Sequence, residues 1–140
     1  MASWKLELNH PPQEKRAFEL WLQHAAGLIL FEDVRGYAME RIDPNLTVEA
    51  QAAARKGIDD AVYGLMMVID GVSGGLGNDE QTVELSVSVR LLSNGSEKTD
   101  AEMNLRNGDG MCMGYHGWLE NDYGVHQVAT PRPSTVARDA

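Results

Sequence analysis

From Thr82 to Leu92 the chain alternates without a break. Val83, Leu85, Val87, Val89 and Leu91 occupy one set of positions, and Glu84, Ser86, Ser88 and Arg90 the other. Successive side chains on a strand point to opposite faces, so this pattern predicts a strand with one face on a core and one in water. It excludes a helix here, whose apolar positions would recur at every third or fourth residue. Asn94-Gly95 follows directly and is a strong hairpin-turn signal. The returning strand is expected over Thr99–Leu105, with Ala101, Met103 and Leu105 inward and Asp100, Glu102 and Asn104 outward. Asn107-Gly108-Asp109-Gly110 reads as the next turn.

Upstream the period changes. Ser3–Asn9 alternates weakly (Trp4, Leu6, Leu8) and predicts an edge strand ended by Pro11-Pro12. Ala17, Phe18, Trp21, Ala25, Leu28 and Ile29 then recur at helical spacing, giving a helix over about 13–35, with Gly27 marking a close contact or a bend. Asp43-Pro44-Asn45 breaks the chain. Thr47 is the N-cap of a second helix running to about Asp70, with Glu49 in its first turn and Gly71 as its stop. Its expected core stripe is Ala54, Ile58, Ala61/Val62, Leu65 and Val68/Ile69. Gly57, Ala61 and Gly64 form a small-residue line suited to close approach of the first helix. Arg55–Asp59 and Lys56–Asp60 are expected as ion pairs on the wet side. The fold class that results is α+β: two long packed helices against a small antiparallel β-sheet built on the 82–92/99–105 hairpin. A single domain over residues 1–124 and an extended tail over 125–140 complete the expectation. The segment 111–122 mixes both periods and is read as a short helix with Asp109 near its start.

The chain holds 21 acids and 12 bases, for a net charge of −9. Residues 70–122 carry ten of those acids against only Arg90, Lys98 and Arg106, so the negative charge concentrates around the hairpin. Such a balance argues against nucleic-acid binding, which needs a basic face to neutralise phosphates. A single Cys excludes an internal disulfide and any Cys-cluster zinc site. No apolar run is long enough to span a bilayer, and Met1–Glu7 has no signal-peptide pattern, so no membrane partner and a cytoplasmic location are expected.

Little in the sequence points to chemistry. Gly71–Gly77 is glycine-rich, but it follows a helix and precedes a strand, the reverse of a phosphate cradle, and Asp70, Asp79 and Glu80 flank it. His116 and Glu120 are one helical turn apart, with His126 beyond, and such donors can converge on a divalent ion. No HExxH or paired His accompanies them, so no metal and no cofactor are assigned. His116 bonded to Glu120 or to a carbonyl is the plainer reading. Cys112 lies four residues before His116, a spacing at which a base could activate a thiol, but no oxyanion donor is evident. Burial beside Met111 and Met113 is the expected role of Cys112. Asp59 and Asp60 are adjacent on a helix and diverge, so they cannot share a proton. No catalytic residue is assigned.

The charge pattern instead points to recognition. Asp79, Glu80, Glu84, Asp100, Glu102, Glu120 and Asp122 form a proposed acidic rim, with Tyr115, Trp118 and Tyr123 as aromatic anchors. The alternative for Tyr115 and Trp118 is burial under the sheet. Acidic rims speed encounter with basic surfaces, and aromatic anchors supply affinity. The run Ile58–Ser73, a helix closing on Asp70-Gly71 before an acidic strand, resembles the central helix of small bacterial proteins, some of the immunity type that neutralises a toxin encoded nearby. Gly117-Trp118-Leu119-Glu120-Asn121-Asp122-Tyr123-Gly124 has the same character. The resemblance covers about a third of the chain and implies a binding role. The reading is a non-enzymatic binding protein that masks a basic surface of a toxin or effector. The alternatives are a small metal-dependent or Cys/His enzyme using 112–126, and a homodimeric accessory protein.

Overall fold

Thr47 sits in extended backbone, and its side chain accepts a hydrogen bond from the Ala50 amide at 3.1 Å, an N-cap that satisfies one orphan donor of the helix it starts. In the computed structural model, which describes residues 1–108 and 110–133, that helix runs Val48–Ile69. It ends at Gly71, whose φ of 80° lets the Val72 and Gly71 amides fold back onto the carbonyls of Met67 and Val68. This is the Schellman pattern, and it explains why Gly stands at that position.

In chain order the elements are α1 (Ala2–Lys5), β1 (Leu6–Leu8), α2 (Lys15–Leu30), a π-helical turn (Phe31–Arg35), α3 (Gly36–Glu40), α4 (Val48–Ile69), β2 (Gly75–Gly77), β3 (Thr82–Glu84), β4 (Ser88–Leu92), β5 (Thr99–Asn104), a 3-10 turn (Leu105–Asn107), α5 (Gly110–Leu119) and β6 (Ala129–Pro131). The chain is α+β, with helices packed against small antiparallel sheets.

The first helix extends further than its periodicity shows. Glu14 caps it by accepting from the Ala17 amide at 2.7 Å, and helical backbone continues through the π turn and Gly36 to Glu40. The π turn buries Phe31 and delivers Arg35 to Asp59 at 2.6 Å. The expected Arg55–Asp59 pair is therefore replaced, whereas Lys56–Asp60 forms at 2.6 Å. Asp59 and Asp60 do diverge.

The buried stripe of α4 is Val62, Met66 and Ile69: Val62 and Ile69 are inward as expected, with Ala54 and Ile58 half-buried, but Met66 takes the place of Leu65, which faces outward. Gly57 and Gly64 look onto open space, so the small-residue line is not an interface. Close approach happens elsewhere. A Cβ at Gly27 of α2, or at Gly114 of α5, would collide with the ring of Trp118. That short helix α5 lies against both α2 and α4. Its side chains Met111, Tyr115 and Trp118 meet Trp21, Leu22, Leu28, Phe31, Val62, Met66 and Leu105 in one core. Phe31 packs edge-on to both Tyr115 and Trp118, at 5.9 and 6.0 Å between centroids.

Among the described residues the expected single sheet is three separate two-stranded ribbons: β1–β6, β2–β3 and β4–β5. The predicted hairpin is present, with Val89 opposite Met103 and Leu91 opposite Ala101, both pairs against the core. The strand expected over 82–92 is interrupted at residues 85–87. Its first part turns away to pair with the glycine-rich segment expected as a loop. The N-terminal strand does not edge the hairpin. Ala2–Lys5 is helical, and Leu6–Leu8 pairs with Ala129–Pro131. The fold therefore continues past Gly124, with Val128 buried and β6 docked. Asp109 and residues 134–140 of the expected tail lie outside the described residues.

Candidate functional site

The seven acids of the expected rim lie on two structures. The first is the β2–β3 ribbon and its neighbour β4–β5. Asn78 builds the β2–β3 turn: its side chain accepts from the Glu80 and Gln81 amides at 2.9 and 2.8 Å, and its own amide donates to the Gln81 carbonyl. This Asx-type turn holds Asp79 and Glu80 at the tip, in water. Glu84 lies on β3 and pairs with Arg106 at 3.3 Å. Across the β4–β5 ladder Glu102 stands opposite Arg90, while Asp100 accepts from the Ser93 hydroxyl. All five acids are exposed.

Glu120 and Asp122 belong to a second place. They follow the C-terminus of α5, about 15 Å of helix beyond its start, where Gly110 meets Gln23 of α2. Asn121 adopts φ 62° there, and the Asp122 side chain accepts from the Gly124 amide at 3.0 Å. Their carboxylates are exposed, and Tyr123 is half-buried.

Tyr115 and Trp118, expected as surface anchors, are core residues, 2% and 4% exposed. Helical spacing carries both onto the face of α5 that meets Gly27 and Phe31. The Tyr115 hydroxyl donates to Asp59, at 3.0 Å to its carboxylate. Burial, reinforced by that bond and the charge of Asp59, pushes the phenol up to about 12. Tyr115, Asp59 and Arg35 thus tie α5, α4 and the π turn together.

The histidine cluster does not assemble. His116 packs against Tyr63 of α4 with the rings tilted, 5.1 Å between centroids, whereas His126 lies near Glu14, the N-cap of α2. Hydrogen bonds from the Ala17 and Arg16 amides hold the Glu14 carboxyl below its ordinary range. Among the described residues no three His, Cys, Asp or Glu side chains converge closely enough to hold a metal. Cys112 is half-buried, and its amide donates to Asp70 at 2.8 Å.

No protein-family model, curated protein or solved structure matches the chain.

Two features escaped the sequence reading. A cleft of about 680 Å³ opens between the first turn of α2 and residues 124–127, lined by His10, Glu14, Trp21 and His126. Beside it His24 packs edge-on to Trp118. Burial lowers the pKa of His24, against the raising effects of a hydrogen bond to the Gly110 carbonyl and the charge of Asp70. The second feature is apolar. Leu76 and Val83 stand directly opposite one another on the β2–β3 ribbon, yet they are 77% and 68% exposed, and Leu85 beyond them is also outward. The signal was present: in Gly74-Gly75-Leu76-Gly77 the leucine has only glycines around it and no local partner to cover it.

Proposed function

We propose that this chain is a non-enzymatic binding protein that masks a basic, partly apolar surface of another protein, in the manner of an immunity protein or inhibitor acting on a toxin or effector enzyme. The observation that carries the reading is the juxtaposition on the β2–β3 ribbon. An exposed apolar pair, Leu76 and Val83, sits within a few residues of Asp79, Glu80 and Glu84, which also face water. An apolar centre with a charged rim is the anatomy of a protein-binding patch. The ribbon supplies the anchors that Tyr115 and Trp118, being buried, cannot. Long-range attraction from the acidic segment speeds encounter with a cationic partner.

The test is salt and charge reversal. A partner recovered with the immobilised chain at low salt should dissociate as ionic strength rises past the point where the Debye length falls below about 8 Å. The double variant Asp79→Lys/Glu80→Lys, which touches no core residue, should weaken its binding at least tenfold. Binding indifferent to both salt and reversal sinks the proposal.

A further inference from the structure

Among the described residues the β2–β3 ribbon has an open side. Antiparallel pairs alternate between hydrogen-bonded and non-hydrogen-bonded. Because the Asn78 amide bonds the Gln81 carbonyl, and Leu76 is paired with Val83 in register two residues further on, Leu76 and Val83 exchange the next ladder bonds. Gly75 and Gly77 then direct their N–H and C=O groups away from β3, along an edge that belongs to a sheet of only two strands. Natural edges are guarded by lysine, proline, bulges or a covering element. This one reads Gly-Leu-Gly, and its register with β3 contains no bulge. At Gly75 not even a Cβ would meet a neighbouring atom.

From this geometry we infer how the partner of the acidic ribbon binds: an extended segment of that partner, alternating apolar and basic residues, adds to β2 as a third strand. The inference rests on the proposed binding role. Strand addition takes affinity from main-chain bonds and specificity from alternate side chains. One face of the added strand would continue the Leu76–Val83 row, which needs apolar side chains. The other would continue the row of Glu84 and Thr82, whose partners across the ribbon are the bare Gly75 and Gly77, so a long cationic side chain can cross β2 to reach the Glu84 carboxylate. Arg106 already holds one side of that carboxylate, yet the Glu84 side chain is 55% exposed. Asp79 and Glu80 at the tip add to the same attraction. A second copy of this chain fits less well, because it would bring another −9 to the same edge.

The probe is a synthetic peptide of about seven residues that alternates lysine and valine, compared with a peptide of identical composition whose lysines and valines are in separate blocks. The alternating peptide should bind the full chain at least tenfold more tightly and slow amide exchange at Gly75 and Gly77. Gly75→Pro, which removes an outward N–H, and Leu76→Ser, at an exposed position, should each bring its affinity down to that of the block peptide. Equal affinity for both peptides, lost with salt, would overturn strand addition and leave the acidic-surface reading standing. No binding of either peptide at low salt would remove both. A peptide-free dimer in light scattering, with Gly75 and Gly77 already protected, would assign the edge to a second copy and overturn the inference.

Discussion

Glycine has opposite meanings at two helical positions of this chain. Gly27 is packed against the Trp118 ring, whereas Gly57 faces open space. Alanine favours a helix over glycine by about 1 kcal/mol. Gly57→Ala should therefore stabilise the protein by up to about 1 kcal/mol, while Gly27→Ala should destabilise it by about 1–3 kcal/mol through overpacking. Urea midpoints of the two variants check this, and a shared sign would contradict the packing described. Also at this scale, burial lowers the pKa of His24 below its ordinary 6.5. The unfolded chain then binds the proton more readily than the folded one. The contribution of His24 is fully present above pH 6.5 and is lost as the pH falls from there toward the folded value. Stability measured by urea unfolding should drop between pH 7.5 and 5.5, and His24→Gln should flatten that slope. A slope unchanged in the variant would place the titration in another group.

Among the elements, α5 is held at its start by its neighbours. Its amides are met by side chains from both long helices: Gln23 of α2 accepts from Gly110 at 2.8 Å, and Asp70 at the end of α4 accepts from Cys112 at 2.8 Å. Gly108 and Gly110 are glycines because a Cβ at either would collide with Gln23. Removing a buried acceptor leaves its donor unsatisfied, at about 1–3 kcal/mol. Gln23→Ala should lower stability by that amount and accelerate amide exchange at Gly110 and Cys112, with little change in α4. Uniform acceleration across all helices would show that the cap is not local. These caps join residues 87 and 42 positions apart, which is why periodicity found the helix at 111–122 but not what holds its start. The same holds for the hairpin. The alternation of Val83 to Leu91 marks strand backbone on either side of the break at residues 85–87, but the pattern carries no information about that break or about which apolar side chains find a core. Val89 and Leu91 do; Val83, Leu85 and Val87 do not.

For the whole molecule, the α+β class, the Thr47 cap, the Gly71 stop and the 88–92/99–104 pairing were legible because each follows from local chemistry. The separation of the sheet into three ribbons was not, since pairing β1 with β6 is a decision between distant segments. The candidate surface was half legible. Acids announce their exposure in the sequence, so Asp79, Glu80, Glu84, Asp100 and Glu102 are outward as expected. Aromatic residues suit core and surface alike, and Tyr115 and Trp118 went to the core.

The β1–β6 ribbon has a consequence for how the chain is made. Leu8 and its partner Ala129 are separated by about 120 residues of synthesis. At ribosomal speeds of roughly 5–20 residues per second, the first strand waits on the order of ten seconds for the segment that completes it. Until then Leu6 and Leu8 have no ladder partner of their own, while α2, α4 and the central hairpin can already have assembled from local contacts. The β1–β6 seam thus closes only after α2, α4 and the central hairpin have been made, and until then Leu6–Leu8 is available to chaperones or proteases.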